Sequence, residues 1–303
     1  VAARMSYIAV ADNEKYKLLA ESNRVNLSLI PPRRGWLVDR NGKPLALNRT
    51  VFRVDVVPDR LTDKDATLDA LVQLLRLSSD DRDRIAEEIK LAAGFQPVEV
   101  AADLDWERYA ALSIRATDLP GVFPTQGFAR YYPSGAAVGH LLGYVGAASA
   151  EDYETTKDPL MITPGYKVGK LGVEKQLQPV LKGLPGARRS EVTARGKLVR
   201  ELATRPDTPG STVRMTIDAG LQDYAARRLG DNSGAVVVID TATGGVVCCA
   251  SMPSFDPNDF TDGIGRAEWA RLSGDERLPL VNKTLQSLYP PGSTLKPAAA
   301  LAA

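Results

Sequence analysis

Leu288-Tyr289-Pro290-Pro291-Gly292-Ser293-Thr294-Leu295-Lys296-Pro297 sets a hydroxyl and an amine three residues apart, at Ser293 and Lys296. On a helix that spacing stacks two side chains on one face, one turn apart. A nucleophile would then lie beside a base. The two prolines and the glycine halt whatever precedes, and Pro297 lacks the backbone donor that a helix interior needs. The phrase therefore predicts a helix that starts close to Ser293, where the partial positive charge of a helix N-terminus favours negative charge developing on the serine oxygen. Ser-x-x-Lys is common by itself, so the surrounding stretches must decide what it means. The chain runs on for seven residues beyond Lys296, and most of what such a site needs is expected to lie outside it.

Immediately upstream the texture is that of a sheet with helices packed on it. Residues 213–218 and 234–240 read as strands, the second a continuous β-branched run, and residues 219–229 as a helix capped by Asp218. Thr241-Ala242-Thr243-Gly244-Gly245 is a hairpin turn into a strand at 246–250. Lys283-Thr284-Leu285 reads as part of the approach to the Ser293 helix.

Further out, residues 51–126 form a small α+β module. Val51-Phe52-Arg53-Val54-Asp55-Val56 alternates like a half-buried strand, and helices are expected over 61–75, 79–93 and 106–117. No catalytic constellation falls in this module. Residues 1–50 open with a helix-like segment through Ser22, then reach Pro31-Pro32-Arg33-Arg34-Gly35-Trp36-Leu37-Val38-Asp39-Arg40-Asn41-Gly42, where Asn-Gly marks a turn between extended segments. Residues 127–200 read as turns, short strands and one helix. Gly169 and Gly172 precede that helix, but no Gly-Lys-Ser/Thr follows and the spacing is not that of a dinucleotide fingerprint. Between Lys182 and Arg200 six bases face the single acid Glu191, the pattern of a solvated cationic connector.

Composition excludes several classes. The formal charge of +1 gives no global sign to steer nucleic acid. Apolar runs such as 235–239 and 297–303 are far short of the roughly 20 residues a membrane helix requires. The chain begins at Val1 on an apolar-rich run broken by Arg4, so a removed or preceding segment is expected upstream. Cys248 and Cys249 are adjacent and would point to opposite faces of a strand, too strained for a bridge and too few for a metal. His140, the single histidine, sits in a Gly-rich apolar segment and is read as structural. No cofactor is expected.

Together the phrases resemble the class B penicillin-binding proteins, in particular the elongation-type branch typified by penicillin-binding protein 2. The likeness runs from Asn23 to Ala303. It rests on Arg34-Gly35 with Asp39-Arg40-Asn41-Gly42 and Leu45-Ala46; on Arg130-Tyr131-Tyr132-Pro133 through His140 to Gly146; on Gly172 with Glu174 and Leu181-Gly183; on Ile239-Asp240 with Gly244; and on residues 253–258. Pro290-Pro291 before Gly292-Ser293 favours the elongation branch. The resemblance implies an α+β, multidomain chain: pedestal anchor over 1–50, mobile pedestal head over 51–126, anchor return and linker over 127–200, and the N-terminal part of a transpeptidase domain over 201–303. Arg34, Asp39, Arg40 and Glu174 are expected to pair internally in the pedestal.

By the same resemblance the protein is a peptidoglycan D,D-transpeptidase of cell-wall elongation, anchored in the bacterial inner membrane by one helix just upstream of Val1, with its body in the periplasm. Ser293 attacks the D-Ala-D-Ala carbonyl of a stem peptide, with Lys296 as base; the acyl group passes to a second stem peptide's amine. β-Lactams acylate the same serine. The pedestal is similar to the region that contacts and activates a membrane-embedded SEDS-family glycan polymerase. Two elements of the family's site, Ser-x-Asn and Lys-Thr/Ser-Gly, do not occur here, which leaves the backbone N–H of Ser293 as the one plausible oxyanion donor. The 303 residues alone are therefore expected not to bind penicillin covalently. Two other readings share features with this one: a β-lactamase or β-lactam sensor, and a non-catalytic module that regulates the polymerase.

Overall fold

The structure, a computed structural model, describes residues 25–92, 97–163, 165–192, 198–261 and 263–303. The helix-like segment expected through Ser22 lies outside them, as do Arg195 and Lys197 of the cationic connector. Mixed helix and sheet is distributed over a head, an anchor beneath it and a hairpin beyond, in agreement with the α+β expectation.

The head is built on the strand Pro44–Val56. It pairs antiparallel with Val122–Tyr131 in an unbroken register from Leu47↔Tyr131 to Val56↔Val122, and with Val98–Leu104 near its end. Three helices cover this sheet: Lys64–Leu75, Ser79–Leu91 and Trp106–Arg115. Each starts on a side-chain cap. Asp63 accepts the Ala66 N–H at 3.0 Å, Ser78 and Asp81 form a reciprocal capping box, and Asp105 accepts the Arg108 N–H at 2.8 Å. Leu68, Leu71 and Leu75 fall on one helical face, and Ile85 and Ile89 on the next helix's inner face, meeting Val54, Val56 and Val100 of the sheet. Truncating Leu71, which is fully buried, should cost about 2–5 kcal/mol. Urea unfolding of Leu71→Ala, followed by hydrogen exchange of the head amides, checks this; a loss below about 1 kcal/mol would show that the head closes over the gap.

In the anchor, Leu37–Val38 lies between Val213–Arg214, to which it is parallel, and the start of the long strand. The expected Asn-Gly turn is present: Gly42 adopts φ +88° and donates to the Asp39 carbonyl, and Asp39 N–H donates to Lys43. The anchor core gathers Leu37, Leu45, Tyr132, Leu142, Leu181 and Ile217, so residues on both sides of the expected start of the last domain share it. A second antiparallel sheet orders Val25–Ile30, Gly186–Val192 and Leu198–Arg205.

The strand expected over 213–218 stops after Arg214. Beyond it the chain leaves one sheet for another: Met215 N–H still donates to Val38, whereas Asp218 N–H donates to Val247 of the hairpin. Asp218 then caps the helix Ala219–Leu229 through the Leu221 N–H at 2.9 Å. Ala225 of that helix packs on Cys248 and Ala250. The hairpin pairs Gly234–Ile239 with Val246–Met252.

Candidate functional site

Ser293 lies in a single 3₁₀ turn, Gly292–Leu295, that runs straight into the helix Lys296–Ala302. The helical segment thus starts where the proline-glycine phrase predicts. Lys296 N–H donates to the Ser293 carbonyl. Both side chains are exposed, and among the described residues no hydrogen bond joins the hydroxyl to the amine. The segment carries them at the predicted spacing, but places neither burial nor a second cation around Lys296. Its leucines also face solvent, with Leu295 54% and Leu301 91% exposed.

The approach to this segment is fastened from below. Lys283 is buried; its Nζ donates to the Leu278 carbonyl at 2.9 Å and its backbone N–H to Ser251 Oγ at 3.0 Å. Burial lowers its pKa, opposed by the Asp275 charge. Thr284 Oγ1 receives the Cys249 thiol at 3.4 Å, while Cys248 points into the core on the other face and neither cysteine is bridged. Ser251, Cys249 and Lys283 thereby tie the loop before Ser293 to the hairpin. His140 ties the same loop to the anchor: its Nε2–H donates to the Pro279 carbonyl at 2.8 Å, and its ring meets Phe255 edge-on. The structural reading of His140 is thus supported by its contacts.

Burial, assisted by the Lys283 charge and opposed by the Pro279 hydrogen bond, lowers the His140 pKa to about 4. Because the unfolded imidazole titrates near 6.5, the unfolded state binds the extra proton between those values, and stability contributed by neutral His140 is lost as pH falls from 6.5 to 4. The loss approaches about 3 kcal/mol. Melting temperatures of the wild type and His140→Gln across that window should converge toward pH 4; parallel curves would contradict the assignment.

Glu174 joins the anchor to the base of the head. It is fully buried, and its two carboxylate oxygens accept from Arg34 Nε at 2.6 Å and Arg130 Nε at 2.8 Å, with the Tyr132 hydroxyl at 3.3 Å. Arg34 further donates to Gln178 Oε1 and the Glu174 carbonyl, and Arg130 to the Gly35 carbonyl. Burial and the neighbouring carboxylate hold the Tyr132 phenol well above its usual pKa. Gly172 permits this: at φ +58° its backbone packs directly on Leu142 and Gly143, where a Cβ would overlap main chain. The glycines ahead of this helix serve close backbone approach rather than phosphate.

Of the four charges expected to pair internally, Arg34 and Glu174 pair with each other, and Asp39 and Arg40 do not form ion pairs among the described residues. Asp39 accepts backbone N–H groups instead of an arginine, from Asn41 and Lys43 through Oδ1 and from Ala219 through Oδ2. Burial would raise its pKa, and those donors outweigh it, leaving the net shift downward. Arg40 is exposed and, among the described residues, forms no ion pair. Arg130, quoted in the sequence phrase without a partner, supplies the second guanidinium. Gln222, on the inner face of an apolar helix, and Asn258, in the phrase 253–258, both bind backbone. Gln222 Nε2 bridges the Ala137 and Cys249 carbonyls at 2.6 and 2.9 Å; Asn258 binds both backbone groups of Tyr132 at 3.0 Å.

Among the described residues no group of three or more His, Cys, Asp or Glu could hold a metal, and no helix is long and apolar enough to cross a membrane.

Residues 29–215 match the penicillin-binding protein dimerisation domain family, and residues 234–303 the penicillin-binding protein transpeptidase domain family. Escherichia coli K12 peptidoglycan D,D-transpeptidase MrdA is 36% identical over 95% of this chain and 46% of its own length. Penicillin-binding protein 3 of Bacillus subtilis is 33% identical over 94% of this chain and 42% of its own. The chain thus spans about half the length of these curated relatives. Among solved structures, the complex between penicillin-binding protein 2 and MreC from Helicobacter pylori superposes with a TM-score of 0.75 at 28% identity, covering 91% of this chain and 52% of that one.

Proposed function

Since this chain belongs to the penicillin-binding proteins, we propose that the protein is a serine-type peptidoglycan D,D-transpeptidase of cell-wall elongation. The observation that carries the reading is the Ser293-x-x-Lys296 helix inside the stretch that matches the transpeptidase domain family. Ser293 Oγ attacks the carbonyl between the two D-alanines, Lys296 takes its proton, and the terminal D-Ala leaves with a proton on its nitrogen. The amine of a second stem peptide then attacks the ester, re-forms an amide and frees Ser293.

The pedestal of residues 1–200 serves as the docking and activating surface for a membrane-embedded SEDS-family polymerase, and a membrane helix ahead of Val1 holds the body in the periplasm. The Helicobacter pylori relative's complex with MreC supports placing the protein within an assembly. The 303 residues by themselves form no lasting β-lactam adduct, because two family elements at the substrate carboxylate and oxyanion are not among them.

Release of D-Ala from a D-Ala-D-Ala pentapeptide, with dimer formation, tests the chemistry in a protein of the relatives' length that contains this chain. Absence of both would sink it, and rapid β-lactam turnover would favour a β-lactamase or sensor instead. Polymerase activity with and without residues 1–200 tests the docking reading separately; independence from the pedestal counts against it.

A further inference from the structure

A cavity of about 140 Å³ opens at the seam where the head sheet meets the anchor. Arg53 and Arg130 enter its wall from the two long strands of the head, and Arg34, Lys167 and Lys182 from the anchor. Asp207 is the one acid of that lining, and Arg33 already holds it through its backbone N–H at 2.9 Å and Nε at 3.1 Å. The carboxylates that pair with the wall's bases, Glu174 with Arg34 and Arg130, Asp55 with Arg53, and Asp158 with Lys182, do not line it. The space is roughly ten times the ~10–15 Å³ that a single water needs, enough for a tetrahedral or planar oxyanion.

Charge and hydrogen bonding point the same way. Glu174 is one carboxylate shared by two largely buried guanidiniums, so this triad carries one positive charge more than its carboxylate offsets, beside the cavity that both arginines line. Arg130, whose side chain is 2% exposed, leaves its buried Nη2 without a partner among the described residues. A buried donor without an acceptor is costly, and a guanidinium edge is matched by a carboxylate or phosphate.

We propose that this cavity is a binding site for a small oxyanion, a phosphate or carboxylate group, gripped by arginines of the head and lysines of the anchor. The occupant bridges the two regions and stiffens the seam between them.

Titration calorimetry of the chain with inorganic phosphate and, separately, with acetate, at constant ionic strength in chloride, tests the site. At least one should bind saturably. Lys167→Gln/Lys182→Gln should weaken it about tenfold, with the melting temperature of the unliganded chain lowered by no more than about 4 °C through loss of the partly exposed Lys182–Asp158 pair, and Lys182→Gln alone should show part of the loss. Preference for phosphate identifies a phosphate-bearing ligand, and preference for acetate a carboxylate. Hydrogen exchange should slow at residues 126–130 and 165–167 on binding. Saturation by neither anion, equal affinity in the lysine variants, or protection confined to other regions would each overturn the proposal.

Discussion

Ser293→Ala abolishes the stable adduct with a labelled penicillin in a protein that carries this chain together with the remainder of a transpeptidase domain. The wild type is expected to reach one label per chain, and the variant none. Ring opening of a β-lactam requires a new bond from an alkoxide-like oxygen to the lactam carbonyl while the C–N bond breaks, and alanine has no atom to offer. Alanine removes one hydroxyl and adds neither bulk nor charge, so the stability change should stay at about 1 kcal/mol or below. That combination separates loss of chemistry from loss of fold. Lys296→Ala should slow acylation by roughly 10²–10⁴-fold, the usual worth of a positioned base, without removing the final stoichiometry. Undiminished labelling of Ser293→Ala would move the nucleophile elsewhere.

Glu174→Ala has the largest expected effect on folding. It leaves Arg34 and Arg130 buried without their shared carboxylate, and removing one partner of a buried ion pair typically costs 3–5 kcal/mol. With about 2–4 °C lost per kcal/mol in domains of comparable size, the melting temperature should drop by roughly 10 °C. Glu174→Gln keeps an acceptor for one arginine and should fall between. Because Asn48, Gly35 and Tyr132 converge on the same pair, the damage should appear in hydrogen exchange at the head-anchor seam before it appears in the hairpin. A loss under 1 kcal/mol would mean that solvent or a bound anion replaces the carboxylate.

The local grammar of the chain was readable where it rests on neighbours in sequence. Leucine spacing and Asp or Ser caps place the head helices to within a turn, and Asp218 marks the start of its helix at the right residue. The phrase around Ser293 marks where the last helical segment begins, because prolines and glycine act within ten residues. What distance in sequence conceals is partnership. Arg130 is 44 residues from Glu174 and Arg34 is 140 from it, and nothing in either phrase says that one carboxylate serves both. The strand expected over 213–218 fails for a related reason: alternation reports a half-buried ribbon, but not that the ribbon changes sheets after Arg214. Likewise the expected border at residue 50 falls inside a continuous strand, because period-two patterning is blind to which neighbours lie on each side.

That strand sets the mechanics of the pedestal. Pro44–Val56 begins in the anchor beside Leu37–Val38 and ends in the head beside Val98–Leu104, paired throughout its upper course with Val122–Tyr131. No loop separates the two regions along this path. Any displacement of the head relative to the anchor along this path must flex a two-ply hydrogen-bonded ribbon, whose second strand carries Arg130 to the carboxylate of Glu174.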